Sequence, residues 1–307
     1  MPASLIGKRI LIAAGAFVLA LITVYAVLTV RHEARVRSVL ASYEAVPKDE
    51  VTGIIRGGEP YFLPGGGYDR AVLFIHGLSA TPYDLWPLAE YLSGQGIAVY
   101  APLLTGHGTT VWEFGKTGWR DWAGQPEAMF AELKTRYKKV YIVGFSMGGD
   151  IAIHIAANDA PAGVVLLAPC VFIKGQDKPV SPEQSIKYLS RLLVTDYILK
   201  DTENQAFDEA AVKGRPVYPV FPVGCLRSLV ELEETARAEL PKVKAPLIVV
   251  QSTNDATVDK AGPPYIIAHA GSADKKAVWV ARSGHLLALD FEKESVFRSV
   301  YEFISNH

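Results

Sequence analysis

The chain has 307 residues, half of them apolar and 21% charged, with 31 Lys and Arg against 32 Asp and Glu for a formal net charge of -1. A chain of this length holds one large α/β domain with an insertion, or about two typical domains, and its composition excludes a disordered or collagen-like protein. The charge balance leaves no basic field for a nucleic acid, and two cysteines, Cys170 and Cys225, are too few for a disulfide scaffold or a Cys-rich zinc module.

Residues 1–9 form a short tail carrying Lys8 and Arg9. From Ile10 to Val30 no charged residue occurs over 21 positions. At 1.5 Å per residue that is about 31 Å of helix, enough to cross a bilayer core. Its only polar side chains are Thr23, Tyr25 and Thr29, so it lacks the polar stripe of a soluble helix. A cleaved signal ordinarily has a shorter apolar stretch and a small-residue cleavage site, which Val24-Tyr25-Ala26 fits poorly. Residues 10–30 therefore read as a single-pass transmembrane anchor. Lys8 and Arg9 before it nearly balance Arg31, Arg35 and Arg37 after it, so the basic flanks do not set its orientation.

Residues 31–67 read as a charged, helix-compatible stalk to about Ala45, then a linker punctuated by Gly and Pro with a short strand or two. Beyond it, short apolar runs alternate with amphipathic stretches, the rhythm of a mostly parallel sheet with helices on both faces. Strands are expected at Ala71–Ile75, Ile97–Tyr100, Lys139–Val143 and Gly163–Leu167, with helices at Pro82–Gln95, Trp119–Tyr137 and Met147–Asn158. Between about Cys170 and Pro241 the alternation fails. Helical pieces at Pro182–Asp201 and Leu226–Leu240 are expected around a Pro-rich segment, Arg215–Pro222. Strands at Leu247–Gln251 and Ala277–Val280, and a helix from Glu292 to Ser305, restore the rhythm. The expected architecture is an α/β core in two parts, 68–169 and 242–307, interrupted by an insertion, 170–241.

The sharpest motif is Gly144-Phe-Ser-Met-Gly148, which follows a buried strand and runs straight into a helix of small residues. Such a turn presents Ser146 Oγ at the carboxyl edge of the sheet, and its glycines permit strand and helix to pack closely. At the helix N-terminus the Met147 amide points toward a developing negative charge. A serine nucleophile needs a base, because its hydroxyl is too weak an acid at neutral pH. Of seven histidines, His32 and His307 lie in the stalk and at the C-terminus, His154 sits two turns into the helix, and His269 occupies a polar stretch between strands. His76 and His107 precede the serine in Gly-containing loops. His285 follows the last strand on a loop at the carboxyl edge and is the candidate base. Its imidazole must be held in one tautomer by a carboxylate. Asp255, just beyond the strand Leu247–Gln251, is the candidate, with Asp259 as competitor and Asp290 read as a cap of the last helix. A second oxyanion donor is expected from the Leu78 amide, in the loop after the first parallel strand.

In the order Phe74-Ile-His-Gly-Leu78, Pro102-Leu-Leu-Thr-Gly-His-Gly108, Lys116-Thr-Gly-Trp-Arg-Asp-Trp122, Gly144-Phe-Ser-Met-Gly-Gly149, Asn254-Asp255 and Ser283-Gly-His-Leu286, the chain resembles the α/β-hydrolase superfamily, and within it the bacterial carboxylesterase and monoacylglycerol lipase group. The resemblance runs from about Tyr68 to the C-terminus. It implies an α/β-hydrolase fold, a triad of Ser146, Asp255 and His285, an oxyanion hole of Leu78 and Met147, and a cap at 170–241 over an acyl pocket. It implies hydrolysis of a small ester or lipid-like substrate through an acyl-enzyme, with no metal or organic cofactor. Aminopeptidase, thioesterase and acyltransferase chemistry use the same triad, and a non-catalytic membrane-tethered binding protein is the alternative of another class. The Pro-rich segment and the apolar span are additions to the group's pattern.

Overall fold

The computed structural model describes residues 2–190, 195–200 and 205–307. Its first element is one continuous helix, α1 (Pro2–Glu44), so the tail from Pro2, the apolar span and the charged stalk share a single rod. Side chains from Leu11 to Leu28 are exposed, and the helix is long and apolar enough to cross a membrane. Its last turns are not a free stalk. Val36 and Tyr43 are buried, and Val39 and Leu40 pack against the core beside them, a stripe at helical spacing that sequence charge alone concealed.

The body is a seven-stranded sheet in the order β1-β3-β2-β4-β5-β8-β9. Its strands are β1 (Tyr61–Leu63), β2 (Arg70–Ile75), β3 (Ala98–Ala101), β4 (Lys139–Phe145), β5 (Gly163–Leu167), β8 (Leu247–Ser252) and β9 (Lys275–Val280). Only β1 is antiparallel to its neighbour. The central strands β2, β4, β5 and β8 are buried on both faces, which is why each is spelled as an unbroken apolar run. At the edge, β9 is only partly covered, with Val280 its one buried residue. Covering helices are α2 (Trp86–Gly94), α3 (Val111–Gly115), α4 (Trp119–Arg136) and α5 (Met147–Asn158) from the first part of the core. The second part adds α9 (Gly262–His269) and α10 (Lys293–Asn306).

The segment expected as Pro82–Gln95 helix opens with a tight turn at Pro82–Leu85 before α2 begins. Neither α3 nor α9 was expected, and the stretch between strands that holds His269 is helical, with His269 closing α9. Within 170–241 the largest departure is at Pro182–Asp201, of which 191–194 and Asp201 lie outside the described residues. One helical turn, α6 (Pro182–Gln184), passes into a wider turn at Ser185–Leu189. Strand β6 (Tyr197–Leu199) then pairs antiparallel with β7 (Val220–Pro222) of the Pro-rich segment. The reason is tertiary: Tyr197-Ile198-Leu199 reads as readily as strand or helix, and the partner strand decides. A short turn, α7 (Glu209–Val212), and the long α8 (Val223–Glu239) complete the insertion, with α8 packed on α5.

Candidate active site

Ser146 occupies the junction between β4 and α5 with φ 55 and ψ -123, a left-handed conformation costing a non-Gly residue about 1–3 kcal/mol. Close packing enforces it. A Cβ on Gly144 would lie 2.2 Å from the Gly148 carbonyl oxygen, and one on Gly148 would lie 2.1 Å from that of Ile75. Ser146 N donates to Leu167 O at 2.9 Å, tying the turn to β5. Met147 N stands in the first turn of α5, where amides have no intrahelical acceptor.

The loops after β8 and β9 carry Asp255 and His285 to the same edge. His285 Nε2 is 3.0 Å from Ser146 Oγ, and His285 Nδ1 is 2.8 Å from Asp255 Oδ2, with all three residues buried. Asp255 Oδ2 also accepts from Gln251 Nε2 at 2.8 Å, while Oδ1 accepts from the amides of Thr257 and Val258 at 2.7 and 3.0 Å. Burial opposes its charge, but His285 and these amides outweigh burial and hold the carboxyl below its ordinary 3.8. Asp259 turns away. It accepts from the amides of Gly175, Gln176 and Ala261 and staples a different loop. Asp290 is not a cap of α10, whose first turn begins after Glu292. Its carboxylate accepts from Gly284 N at 2.6 Å and from the amides of Phe207 and Asp208 at 2.9 Å, bolting the His285 loop to the insertion. That role is invisible in sequence because its partners lie on separate segments.

Facing Ser146, the loop after β2 brings Gly77 so close that an added Cβ would sit 3.2 Å from Ser146 Cβ, and Leu78 lines the same pocket. His76 fixes this loop: Nδ1–H donates to Gly77 O at 2.9 Å and Nε2 accepts from Leu104 N at 3.1 Å. Burial pulls its pKa down to about 4, so it remains a neutral strut. His107 is likewise pushed down by burial, and packs its ring on Phe114. His154 lies away from this edge, between Glu127 and Glu239.

A cavity opens beside Ser146. Phe145, Ile173, Phe221, Leu226, Leu229 and Leu286 make most of its wall apolar. One end is polar, and sequence reasoning missed it. Arg215 grips Asp84 through two bonds of 2.8 and 2.6 Å, both side chains almost fully buried, and its third nitrogen donates to Gln205. Lys200 Nζ donates to Ser79 Oγ at 2.9 Å, and burial together with the Arg215 charge pulls its pKa down to about 7. The Pro-rich segment is thus a seam joining insertion to core, which the isolated Arg215 and Asp84, 131 positions apart, did not announce.

Both cysteines are buried free thiols with different neighbours: Cys170 Sγ meets Glu233 and Cys225 Sγ meets the Phe114 carbonyl. Asp150, Cys170 and Glu233 bring three ligand-type atoms within 4.8 Å of one another. Burial pushes all three pKa values well up, which favours the protonated forms over the deprotonated ones that a cation needs.

A mostly parallel sheet covered on both faces, with its serine on the strand–helix turn and its histidine and aspartate on later loops at the same edge, is the α/β-hydrolase fold. The family model described as serine aminopeptidase, S33, matches residues 67–293, and the chain belongs to that family. It is 27% identical over 256 residues to the thermostable monoacylglycerol lipase of Bacillus sp. (strain H-257), covering 83% of this chain and 97% of that one. It is 26% identical over 247 residues to the carboxylesterase of Bacillus subtilis (strain 168), covering 80% and 96%. A structure from work on LipS and LipT, two metagenome-derived lipolytic enzymes, aligns with a TM-score of 0.73 at 27% identity over 83% of this chain and 100% of that one.

Proposed function

We propose that the protein is a membrane-anchored serine hydrolase that cleaves carboxylic esters of lipid-like amphiphiles, monoacylglycerols among them, through an acyl-enzyme on Ser146. The observation that carries the reading is the hydrogen-bonded chain Ser146–His285–Asp255, with distances of 3.0 and 2.8 Å. The mostly apolar pocket and the lipolytic relatives support an acyl substrate. In this reading residues 10–30 span the membrane and 170–241 form the cap over the pocket.

Ser146 Oγ attacks the ester carbonyl carbon while His285 Nε2 takes its proton, and Asp255 stabilises the resulting imidazolium. The carbonyl oxygen becomes an oxyanion that accepts hydrogen bonds from Leu78 N and Met147 N, assisted by the positive end of α5. Collapse expels the alcohol, which receives the proton from His285, and leaves the acyl group on Ser146. A water molecule then loses a proton to His285 and attacks the acyl carbon. The acid departs, and Ser146 recovers its proton.

The test is turnover of p-nitrophenyl esters from acetyl to palmitoyl, and of monoacylglycerols, by the wild type and Ser146→Ala. Ester turnover that disappears in the variant, with fluorophosphonate labelling of Ser146, is the expected result. Ser146-dependent cleavage of aminoacyl amides with no cleavage of any ester would overturn it in favour of a peptidase.

A further inference from the structure

The docked end of α1 makes three contacts along one face. His32 Nε2–H donates to the Tyr197 carbonyl of β6 at 2.8 Å, Val36 is buried, and Tyr43 packs on Tyr218 with ring centroids 5.3 Å apart. Tyr218 in turn donates to Gly106 O and accepts from Thr109 N, so the third contact reaches the core. From His32 to Tyr43 is about 17 Å along a helix. A single contact leaves a domain free to swivel on its anchor; three spread over that length fix its tilt.

The first contact also fixes its height. His32 lies two residues past Val30, about 3 Å of helix beyond the last residue of the apolar run. The β6 main chain that His32 holds is therefore level with lipid headgroups when residues 10–30 span a bilayer. Arg31, Arg35 and Arg37 are exposed within about 11 Å of helix beyond Val30, where they suit anionic headgroups. The same strand pair also borders the pocket: Lys200, next after β6, and Phe221 of β7 both line it. The two-stranded ribbon thus touches both the anchor's interfacial end and the cavity beside Ser146.

From this juxtaposition we infer that α1 clamps the β6–β7 ribbon against the surface of an anionic bilayer, so that the pocket receives amphiphilic esters from the lipid layer itself. The inference rests on the reading of residues 10–30 as an anchor. It assigns residues 31–44 as positioning elements that act through the ribbon.

The test places the chain in phosphatidylcholine/phosphatidylglycerol vesicles and inserts a twelve-residue Gly-Ser linker between Val30 and Arg31, which keeps the tether and removes its rigidity. For long-chain monoacylglycerol in the same vesicles, kcat/KM should fall by about tenfold or more, because orientation is lost. Turnover of dissolved p-nitrophenyl acetate should not change. A readout independent of catalysis uses nitroxides at Asp196→Cys, beside Tyr197, and at Ala160→Cys, beyond the far end of α5; both native residues are exposed. A gadolinium-headgroup lipid should broaden the first label strongly and the second little, and the linker should abolish the difference. Equal broadening of the two labels in the wild type, or a linker variant that keeps full vesicle activity, would overturn the inference. Alkaline carbonate separates the two failures: release of the wild type without detergent defeats the anchor reading as well, whereas retention with equal broadening defeats the clamp alone.

Discussion

Replacing Asp255 by Asn substitutes an N–H₂ group for one oxygen at a point where four N–H donors converge. Two of them, from Thr257 and Val258, are backbone amides facing Oδ1, and they cannot change role. The other two, Gln251 Nε2 and His285 Nδ1, face Oδ2, and both can. Gln251 can flip, because its Oε1 is buried with no partner among the described residues and is ready to accept. His285 can move its proton to Nε2. The new amide nitrogen therefore settles at the Oδ2 position, and the imidazole becomes a donor toward Ser146 where it was an acceptor. The stability cost should be only about 1 kcal/mol, one neutral hydrogen bond. The catalytic cost should be about 10⁴ in kcat, the scale of a wrong tautomer. Asp255→Ala, by contrast, takes the acceptor from the buried Val258 amide and His285 Nδ1 and from the part-buried Thr257 amide at about 1–3 kcal/mol each, before any relaxation, and leaves Gln251 Nε2 only its 3.5 Å contact with Ser252 O. The acid limb gives a further check. The Asp255 carboxyl is held below 3.8, so its stabilisation is complete above that value and is lost as pH falls through the native pKa. The Asn variant should lack that portion of acid destabilisation. Ester turnover and urea denaturation of both variants measure the split. An Asn variant with kcat within tenfold of the wild type, or one as unstable as the Ala variant, would refute the tautomer argument.

Three further outcomes are expected. Gly148→Ala puts a methyl group 2.1 Å from the Ile75 carbonyl oxygen, more than 1 Å inside the ordinary 3.4 Å contact, and should cost about 3 kcal/mol or more. Calorimetry should show a Tm fall of about 6–12 °C, whereas Gly124→Ala, with nothing within 4 Å among the described residues, should raise stability by about 0.4–1 kcal/mol. Burial raises the Asp150 carboxyl, so its contribution is intact below the ordinary 3.8 and is lost as pH rises toward the native pKa. Asp150→Asn should flatten the decline of Tm as pH rises above the ordinary 3.8. Arg215→Ala strands the buried Asp84 carboxylate and should cost about 3–5 kcal/mol in denaturant melts, most of it recovered by the paired change to Met at 215 and Leu at 84.

What local pattern encodes was legible in advance. Strands buried on both faces must be apolar throughout, so β2, β4, β5 and β8 stood out as unbroken runs, and α5 and β5 have the expected bounds. The turn at Ser146 announced itself because a close strand–helix crossing requires Gly144 and Gly148. His285 and Asp255 could be proposed because each follows a strand and must emerge at the same edge of a parallel sheet.

Other features depend on partners far away in the chain, and only the tertiary structure decided them. Asp255 and Asp259 share one short loop, and either could have met an imidazole until the positions of His285 and of the Gly175–Gln176 amides separated them. Asp290 looks like a helix cap until the amides of Gly284, Phe207 and Asp208 converge on it. Strand β6 exists because β7 lies beside it, and Arg215 finds Asp84 across 131 positions. The turns after Val30 carry enough charge to pass for a solvated stalk, yet His32, Val36 and Tyr43 share one face. Periodicity specifies which residues can be buried together; which surface buries them is a property of the folded whole.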